Sequence, residues 1–529
     1  MWLASSIGIL SGILVGTSYI PFPPWAVFFC YLPLWVYWVH QPSPKKVFLS
    51  GWVTQFVLSL IGFNWVAYTA LEFGHIPIPL NFAVLLLFAA LAHLHIPIAG
   101  LIWAYLHKLF RLPLAVSVAL LPALFSLGEM FFPMIFDWHL GYTWLWAGWP
   151  AFHFADIIGF VGLSAITLLV NASFLWAWLK GQNHQAVAWS LGTVAFVLSL
   201  QGAGWLYQQR VVIPTQALST DSLEVAIVQA NIGNQEKQYA KKGWGFRDHI
   251  LKSYIQLTDK ALNEAHQRGL QIDFAVWPET AFPELMIPDQ PPSSRAHQLS
   301  RYLDGQQLNL VTGAYSRKSP DAGVTNALIS LDSQGQIRPP IYHKTVLLAF
   351  GEYLPGANWL PLLKKYLPQV ADFDRGQGPM LIEIGPHQAG AQICYEGLFP
   401  SFSRQLALQG AQFIVNVTND SWFGTWQEPY QHLYMTLARA IEVRRPLIRS
   451  TNTGISTVFL ADGTLLETSP LHEEWWGLYT VPFNKNPSQT LFSRGGIYTP
   501  LIFWMLWLIG LILISLRTTH LPMTESHHR

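Results

Sequence analysis

The feature that most constrains this 529-residue chain is how unevenly its apolar residues are shared out. Residues 1–209 and 497–516 are rich in Leu, Trp and Phe and poor in charge, whereas residues 220–485 have the mixed composition of an ordinary soluble domain. A hydrocarbon core of ~30 Å is crossed by roughly 20 apolar residues in a helix. Candidate spans run over 2–20, 22–39, 47–71, 79–106, 112–131, 155–179, 186–206 and 497–516. The expected architecture is an α-helical transmembrane bundle of about eight spans, seven before the soluble stretch and one after it. The first span lacks the basic flank of a cleavable signal peptide, and another span follows almost at once. Residues 132–154 are broken by Pro133, Gly141, Gly148 and Pro150, and they carry Trp138, Trp144, Trp146 and Trp149. They read as a loop or re-entrant segment whose aromatics suit the membrane interface.

Basic residues orient the spans. Lys45 and Lys46, Lys108 and Arg111, Lys180, and Arg517 follow the second, fourth, sixth and eighth spans, and the intervening loops carry no Lys or Arg. This alternation puts both termini in the cytoplasm and residues 207–496 on the outer face, the periplasm in a cell with an outer membrane. Intramembrane charge is scarce, which disfavours an ion or proton path. His93 and His95, two residues apart, point to different sides of a helix and read as packed polar residues. The net charge of +1 gives no electrostatic basis for a nucleic-acid partner. No Cys/His cluster has zinc spacing, so no metal is expected. Two cysteines cannot build a disulfide framework. Cys30 lies inside a span and reads as a small buried hydrophobe.

Between the spans, strand-like and helix-like segments alternate, which argues for an α/β domain. Strands are expected at Leu223–Ala230, Ile272–Trp277, Leu308–Gly313, Ala389–Cys394 and Phe413–Val417. Helices are expected at Phe246–Arg268, Ser294–Asp304, Ser401–Gln409 and Tyr430–Val443. Hairpins are expected around Asp332-Ser333-Gln334-Gly335 and Ala461-Asp462-Gly463. Three polar motifs stand at strand ends, where α/β proteins gather their sites: Trp277-Pro278-Glu279, Tyr342-His343-Lys344 and Ile393-Cys394-Tyr395-Glu396. Singly, each has an ordinary structural reading: a cap, a surface lysine, a buried thiol. Together, a carboxylate, an amine and a thiol are what acyl transfer through a thioester requires.

In that chain order, Glu279, Lys344 and Cys394 resemble the Glu-Lys-Cys triad of the nitrilase, or carbon–nitrogen hydrolase, superfamily. Val228-Gln229-Ala230-Asn231, Asn419-Asp420-Ser421-Trp422-Phe423, Arg439-Ala440-Ile441-Glu442 and Arg449-Ser450-Thr451-Asn452-Thr453-Gly454 agree with it. Such a domain enclosed by spans resembles the apolipoprotein N-acyltransferase family, as do Phe350-Gly351-Glu352-Tyr353 and Asp420-Ser421-Trp422-Phe423-Gly424. Two positions depart from that pattern. Ala349 stands where the family has Pro, and Gln238 stands near an expected aromatic, with Tyr239 and Trp244 as replacements.

The resemblance implies an α-β-β-α sandwich, a ping-pong reaction and no cofactor. A phospholipid donates the acyl chain, Cys394 holds it as a thioester, and the α-amine of a diacylglyceryl apolipoprotein accepts it. It also implies a bacterial inner-membrane protein, monomeric, with its catalytic domain in the periplasm. Glu352 supports the triad, and Tyr395 and Glu396 shape the pocket beside the nucleophile. Arg439, Glu442 and Arg449 build the fold. Trp422 and Phe423, with Tyr353, are candidates for lipid contact, and Trp422 and Phe423 or the 132–154 segment for a lid that keeps water from the thioester. Two other readings stand beside this one: a membrane-tethered amidase or nitrilase acting on a small C–N compound, and a non-enzymatic transporter or assembly factor with a degenerate domain.

Overall fold

A computed structural model describes residues 2–519 except 73, 75, 182, 218–220, 234–244, 288–292, 358, 360–361, 363–364, 366–369 and 371. Gln238, Tyr239 and Trp244 therefore lie outside the described residues. The chain divides into two units, one formed by residues 1–64, 83–205 and 497–529, the other by 65–82 and 206–496.

The first unit is helical. Described helices long and apolar enough to cross a membrane are Ile78–Phe110, Leu114–Phe131, Pro150–Leu179, His184–Ala217 and Tyr498–Leu516, with the pair Pro44–Gly62 and Trp65–Glu72 as a broken sixth. The segment expected as a second span, 22–39, departs from a full helix: only Leu32–His40 is helical. Pro21, Pro23 and Pro24 explain this, since proline removes a backbone donor and disfavours helix at the residue before it. The first helix, Trp2–Gly16, has 15 residues. Trp138 and Trp144, read as interfacial, are 1% and 0% exposed, and Trp144 Nε1 donates to Thr167 Oγ1 at 2.8 Å. They are core residues of a compact turn that holds the short helices Tyr142–Trp146 and Pro150–Phe154. His93 and His95 are buried, His93 against the Ser59 hydroxyl at 2.8 Å.

Helix contacts in this unit depend on small residues. On Trp2–Gly16, a Cβ at Gly8 would sit 2.6 Å from the Ser50 carbonyl, and one at Gly12 would sit 2.6 Å from Val57 Cβ. A Gly-x3-Gly stripe lets two helix backbones approach where the hydrophobic effect offers no drive. The C-terminal helix rejoins the unit: Trp504 is fully buried beside Ala123 and Ala165 and donates to Ser126 Oγ at 2.8 Å.

The second unit is an α-β-β-α sandwich. Its strands are β1 (Asp221–Gln229), β2 (Phe274–Trp277), β3 (Asn309–Arg317), β4 (Val324–Leu331), β5 (Ile337–His343), β6 (Leu381–Ile384), β7 (His387–Ile393), β8 (Phe413–Thr418), β9 (Leu447–Thr451), β10 (Thr457–Phe459), β11 (Leu465–Thr468) and β12 (Trp475–Phe483). They form two six-stranded sheets, ordered β12-β1-β2-β3-β4-β5 and β11-β10-β9-β8-β7-β6. In each sheet the three central strands run parallel, flanked by antiparallel ones. The sheets meet face to face, with Phe274 stacked on Phe413 at 6.1 Å and Ser450 Oγ 3.4 Å from the Val276 carbonyl. Helices Phe246–Gln267 and Ser294–Gln306 cover the first sheet, and Pro400–Leu408 and Glu428–Val443 lie on the second. Burial on both faces accounts for the unbroken apolar runs in β1, β2 and β8.

Residues 65–82, read from sequence as parts of the third and fourth spans, belong to this unit. Trp65 packs edge-on against Phe423 at 5.4 Å, and its indole N–H donates to Gln431 Oε1 at 3.1 Å.

The glycine stripe gives a direct test. Gly12→Leu should destabilise the helical unit by about 1–3 kcal/mol, read as a lower midpoint of thermal aggregation in detergent, while Gly192→Ala, where a Cβ meets open space, should leave it unchanged.

Candidate active site

The ends of four strands converge on one small polar site. Glu279 follows β2, Lys344 follows β5, Cys394 follows β7, and Thr418 ends β8. Glu279, Lys344 and Cys394 are 6%, 1% and 7% exposed, so the fold takes all three out of bulk water.

A buried amine needs paired charge, since desolvation alone would strip its proton. Lys344 Nζ lies 2.7 Å from Glu352 Oε1 and 3.3 Å from Glu279 Oε1. Burial pulls its pKa down, and Glu279 and then Glu352 outweigh that pull, holding it well above the ordinary lysine value. Asn326 on β4 fixes the arrangement. Its side-chain amide donates to Glu279 Oε1 at 2.5 Å and to Glu352 Oε1 at 3.3 Å, and its backbone carbonyl accepts from the Lys344 backbone N–H at 2.8 Å. Glu352 is held in turn by the Leu348 N–H at 2.9 Å.

Cys394 opens a short 3-10 turn, Cys394–Leu398, in the left-handed region with φ 52°. Thr280, after Glu279, has φ 52°, and Phe350, before Glu352, has φ 64°. Strained backbone of this kind persists only where surrounding structure over-determines it. Burial raises the Cys394 pKa well above the ordinary thiol value and Glu279 adds to it, while Lys344 and a hydrogen bond from Thr418 pull the other way. The resting Cys394 side chain is a thiol, and its proton would have to leave for the sulfur to attack.

Glu396 ties the lysine-bearing loop to the cysteine-bearing turn. Its Oε1 accepts from Tyr342 Oη at 2.6 Å, Thr345 N at 2.6 Å and Val346 N at 3.0 Å, and its Oε2 accepts from Ile393 N at 2.9 Å. Burial pushes its carboxyl up to about 7 against the pull of Tyr342, Lys344 and the two backbone donors Val346 and Ile393.

Sequence reasoning missed Asn326, Thr418, Glu428 and His432, and it named Asp420 and Arg449 without the cluster they form with the last two. Thr418 stands beside Cys394 because β7 and β8 are parallel and pair Ile393 with Val417. Its hydroxyl lies 3.3 Å from Asp420 Oδ1, which also accepts from His432 Nδ1 at 2.8 Å, and Asp420 Oδ2 pairs with Arg449 at 3.0 Å. Glu428 lies 3.4 Å from His432, one helical turn away. Burial raises the Asp420 carboxyl, but His432 and Arg449 overcome that and bring it down to about 2. Burial and then Asp420 push Glu428 well up. The ligand atoms of Asp420, Glu428 and His432 lie within 4.8 Å of one another, close enough for a metal ion, but Arg449 already supplies a positive charge there. The i, i+4 spacing of Glu428 and His432 was visible in sequence. Their partner across the sheet was not.

Of the proposed lipid contacts, Phe423 is buried beneath Trp65 and Trp422 is half-buried; Tyr395, proposed to shape the pocket, packs edge-on against Phe399 at 4.9 Å. Arg375 caps the Tyr353 ring at 4.6 Å. Phe350, Trp359 and Trp426 are exposed, at 52%, 94% and 57%.

A strained cysteine at a strand end, beside a lysine clamped by two carboxylates in a four-layer sandwich, marks a domain of the carbon–nitrogen hydrolase class. The comparisons with known proteins agree. The carbon-nitrogen hydrolase family model matches residues 224–482, and the apolipoprotein N-acyltransferase N-terminal domain model matches residues 11–173. A curated apolipoprotein N-acyltransferase from Bdellovibrio bacteriovorus is 47% identical over 501 residues, 92% of this chain and 90% of that protein. One from Geobacter metallireducens is 29% identical over 483 residues, 88% of this chain and 87% of its own. The chain belongs to the apolipoprotein N-acyltransferase family.

Two outcomes follow from the geometry. Thr418→Val should slow alkylation of Cys394 by iodoacetamide about tenfold at fixed pH, the worth of one hydrogen bond to a thiolate, and Thr418→Ser should restore most of it. Glu396→Ala leaves buried donors unpaired and should lower stability by about 3 kcal/mol, read as a fall in the midpoint of thermal inactivation.

Proposed function

We propose that this membrane acyltransferase moves a fatty acyl chain from a phospholipid, through a thioester on Cys394, to the α-amine of a diacylglyceryl-cysteine on an apolipoprotein. The observation that carries this reading is the buried Glu279–Lys344–Glu352 cluster beside a strained thiol, inside a chain whose family is N-acyltransferase.

In the first half-reaction, the Cys394 sulfur attacks the ester carbonyl carbon and its proton passes to a Glu279 carboxylate oxygen. The oxyanion that forms is stabilised by the Lys344 ammonium and the backbone N–H after the nucleophile. The carbon–oxygen bond to glycerol breaks, Glu279 returns the proton to the departing oxygen, and the thioester remains. In the second half-reaction, the amine nitrogen attacks the thioester carbonyl and Glu279 takes its proton. The carbon–sulfur bond breaks, the proton returns to sulfur, and the amide leaves. Glu352 does not touch the reacting atoms. It keeps Lys344 charged and fixed while Glu279 alternates between base and acid.

Lipid substrates suit the loops around the triad. Phe350 and Trp359, in the chain that runs on from Lys344, and Trp426, after the Asp420 turn, present large apolar rings outward. Half-buried Trp422 and buried Phe423 are proposed to line the acyl path. The alternation of Lys and Arg supports both termini in the cytoplasm and the sandwich on the outer face of a bacterial inner membrane, the side on which a monomer would meet both lipids.

The test is two-substrate kinetics with purified protein, a phospholipid and a diacylglyceryl-cysteine lipopeptide. Parallel double-reciprocal lines and amide product are expected, with no product from Cys394→Ala and a fall of at least about 100-fold in Glu279→Gln. Intersecting lines would argue against a covalent intermediate, and hydrolysis of small amides without lipopeptide acylation would support the amidase reading.

A further inference from the structure

One cavity of the helical unit is lined by none of the residues of this chemistry. It is a groove of about 760 Å³ between the helices Ala155–Leu179 and His184–Tyr207. Its floor is apolar, with Leu169, Val170 and Phe196, and one end is marked by Lys180 and Gln185. The helices meet at a polar bridge, Ser173 Oγ to Thr193 Oγ1 at 2.6 Å, to which Trp189 donates at 3.0 Å. Gly192 faces the groove, and a Cβ there would meet open space. The outer face of the second helix is bare, with Leu191 and Leu198 about two-thirds exposed.

Charge singles out an occupant. No Asp or Glu occurs between Asp156 and Asp221, so neither helix offers Lys180 a counter-ion along the groove. Among the described residues, the Lys180 ammonium has one side-chain partner, the face of Trp176, 4.6 Å from its centroid. That contact sets a positive charge at the mouth of an apolar trough, and Gln185 adds an amide beside it. Apolar length ending in one cation matches an acyl chain ending in a phosphodiester whose headgroup carries no compensating positive charge. A zwitterionic headgroup brings its own cation to the lysine and gains less.

We propose that this groove is a seat for one anionic phospholipid, with an acyl chain lying between the two helices and the phosphate on Lys180. The proposal needs only that the chain resides in a membrane, and it is independent of the acyl-transfer reading. By the charge alternation along the chain, the seat belongs to the cytoplasmic leaflet.

The experiment is native mass spectrometry of the full chain in detergent, with phosphatidylglycerol or phosphatidylcholine of identical acyl chains added in turn. Wild type should retain one phosphatidylglycerol about fivefold more than phosphatidylcholine, the worth of one lysine beside an anionic headgroup. Lys180→Gln should abolish that preference while still retaining lipid. Gly192→Trp, which fills the groove and leaves Lys180 in place, should abolish retention of both. The midpoint of thermal aggregation in detergent should match wild type in both variants, which shows that they fold, and unchanged lipopeptide acylation separates this seat from the donor site. Equal retention of the two lipids by wild type, or an unchanged preference in Lys180→Gln, would overturn the proposal. Retention that survives Gly192→Trp, or a second copy of the chain in place of lipid, would overturn it equally.

Discussion

The ion cluster around Lys344 is the constraint on which the catalytic unit depends. An ammonium 1% exposed is tolerable only because Glu352 and Glu279 stand 2.7 and 3.3 Å away and Asn326 holds both carboxylates. Taking such groups out of water costs several kcal/mol per ion, and breaking a buried pair strands the partner. The cluster therefore demands a rigid frame, and the two-sheet core provides it. The same frame gives the site its chemical asymmetry. One carboxylate is committed to Lys344, and the other is close enough to Lys344 to be oriented yet remains available to exchange a proton with the thiol.

Three features transmit that rigidity to Cys394. Glu396 fastens the nucleophile's turn to the Tyr342–Val346 stretch that contains Lys344. Parallel pairing of β7 and β8 sets Thr418 beside the sulfur. Asp420, held by Arg449 and His432, anchors the far side of Thr418. The first two contacts join the end of one strand to the end of another, so moving β5, β7 or β8 by one residue would separate the cluster. A small neighbour matters as well. A Cβ on Gly313 would meet the Thr280 N–H nitrogen at 2.5 Å and Glu279 Cα at 2.6 Å, so glycine lets the Glu279 turn lie directly on β3.

Much of this was legible in the chain. The α/β alternation, the strand ends at Glu279, Lys344 and Cys394, and the apolar blocks around them follow from composition and periodicity. What escaped was long-range or subtle. Asn326 is an ordinary strand residue until β4 pairs with β5 and carries Lys344 past it. β6 and β12 were missed because β6 has only four residues and includes Glu383, and β12 opens on Trp475-Trp476-Gly477 and carries Pro482, so neither shows a clear strand pattern. The 22–39 segment is apolar enough to span, but hydropathy is blind to the prolines that confine its helix to Leu32–His40. Trp65 belongs to an apolar run that reads as a span, and only the fold shows it packed on Phe423. Gly8 and Gly12 lay in plain view, but their meaning depends on the partner helix.

The account turns on whether Cys394 carries an acyl group taken from a phospholipid. The direct measurement is the intact mass of purified protein incubated with phospholipid and no amine acceptor, beside Cys394→Ala. A single fatty-acyl mass on the Cys394 peptide, removed by hydroxylamine and absent from the variant, is the predicted result. An unmodified Cys394 in folded protein, with phospholipid in excess and no free fatty acid released, would contradict it.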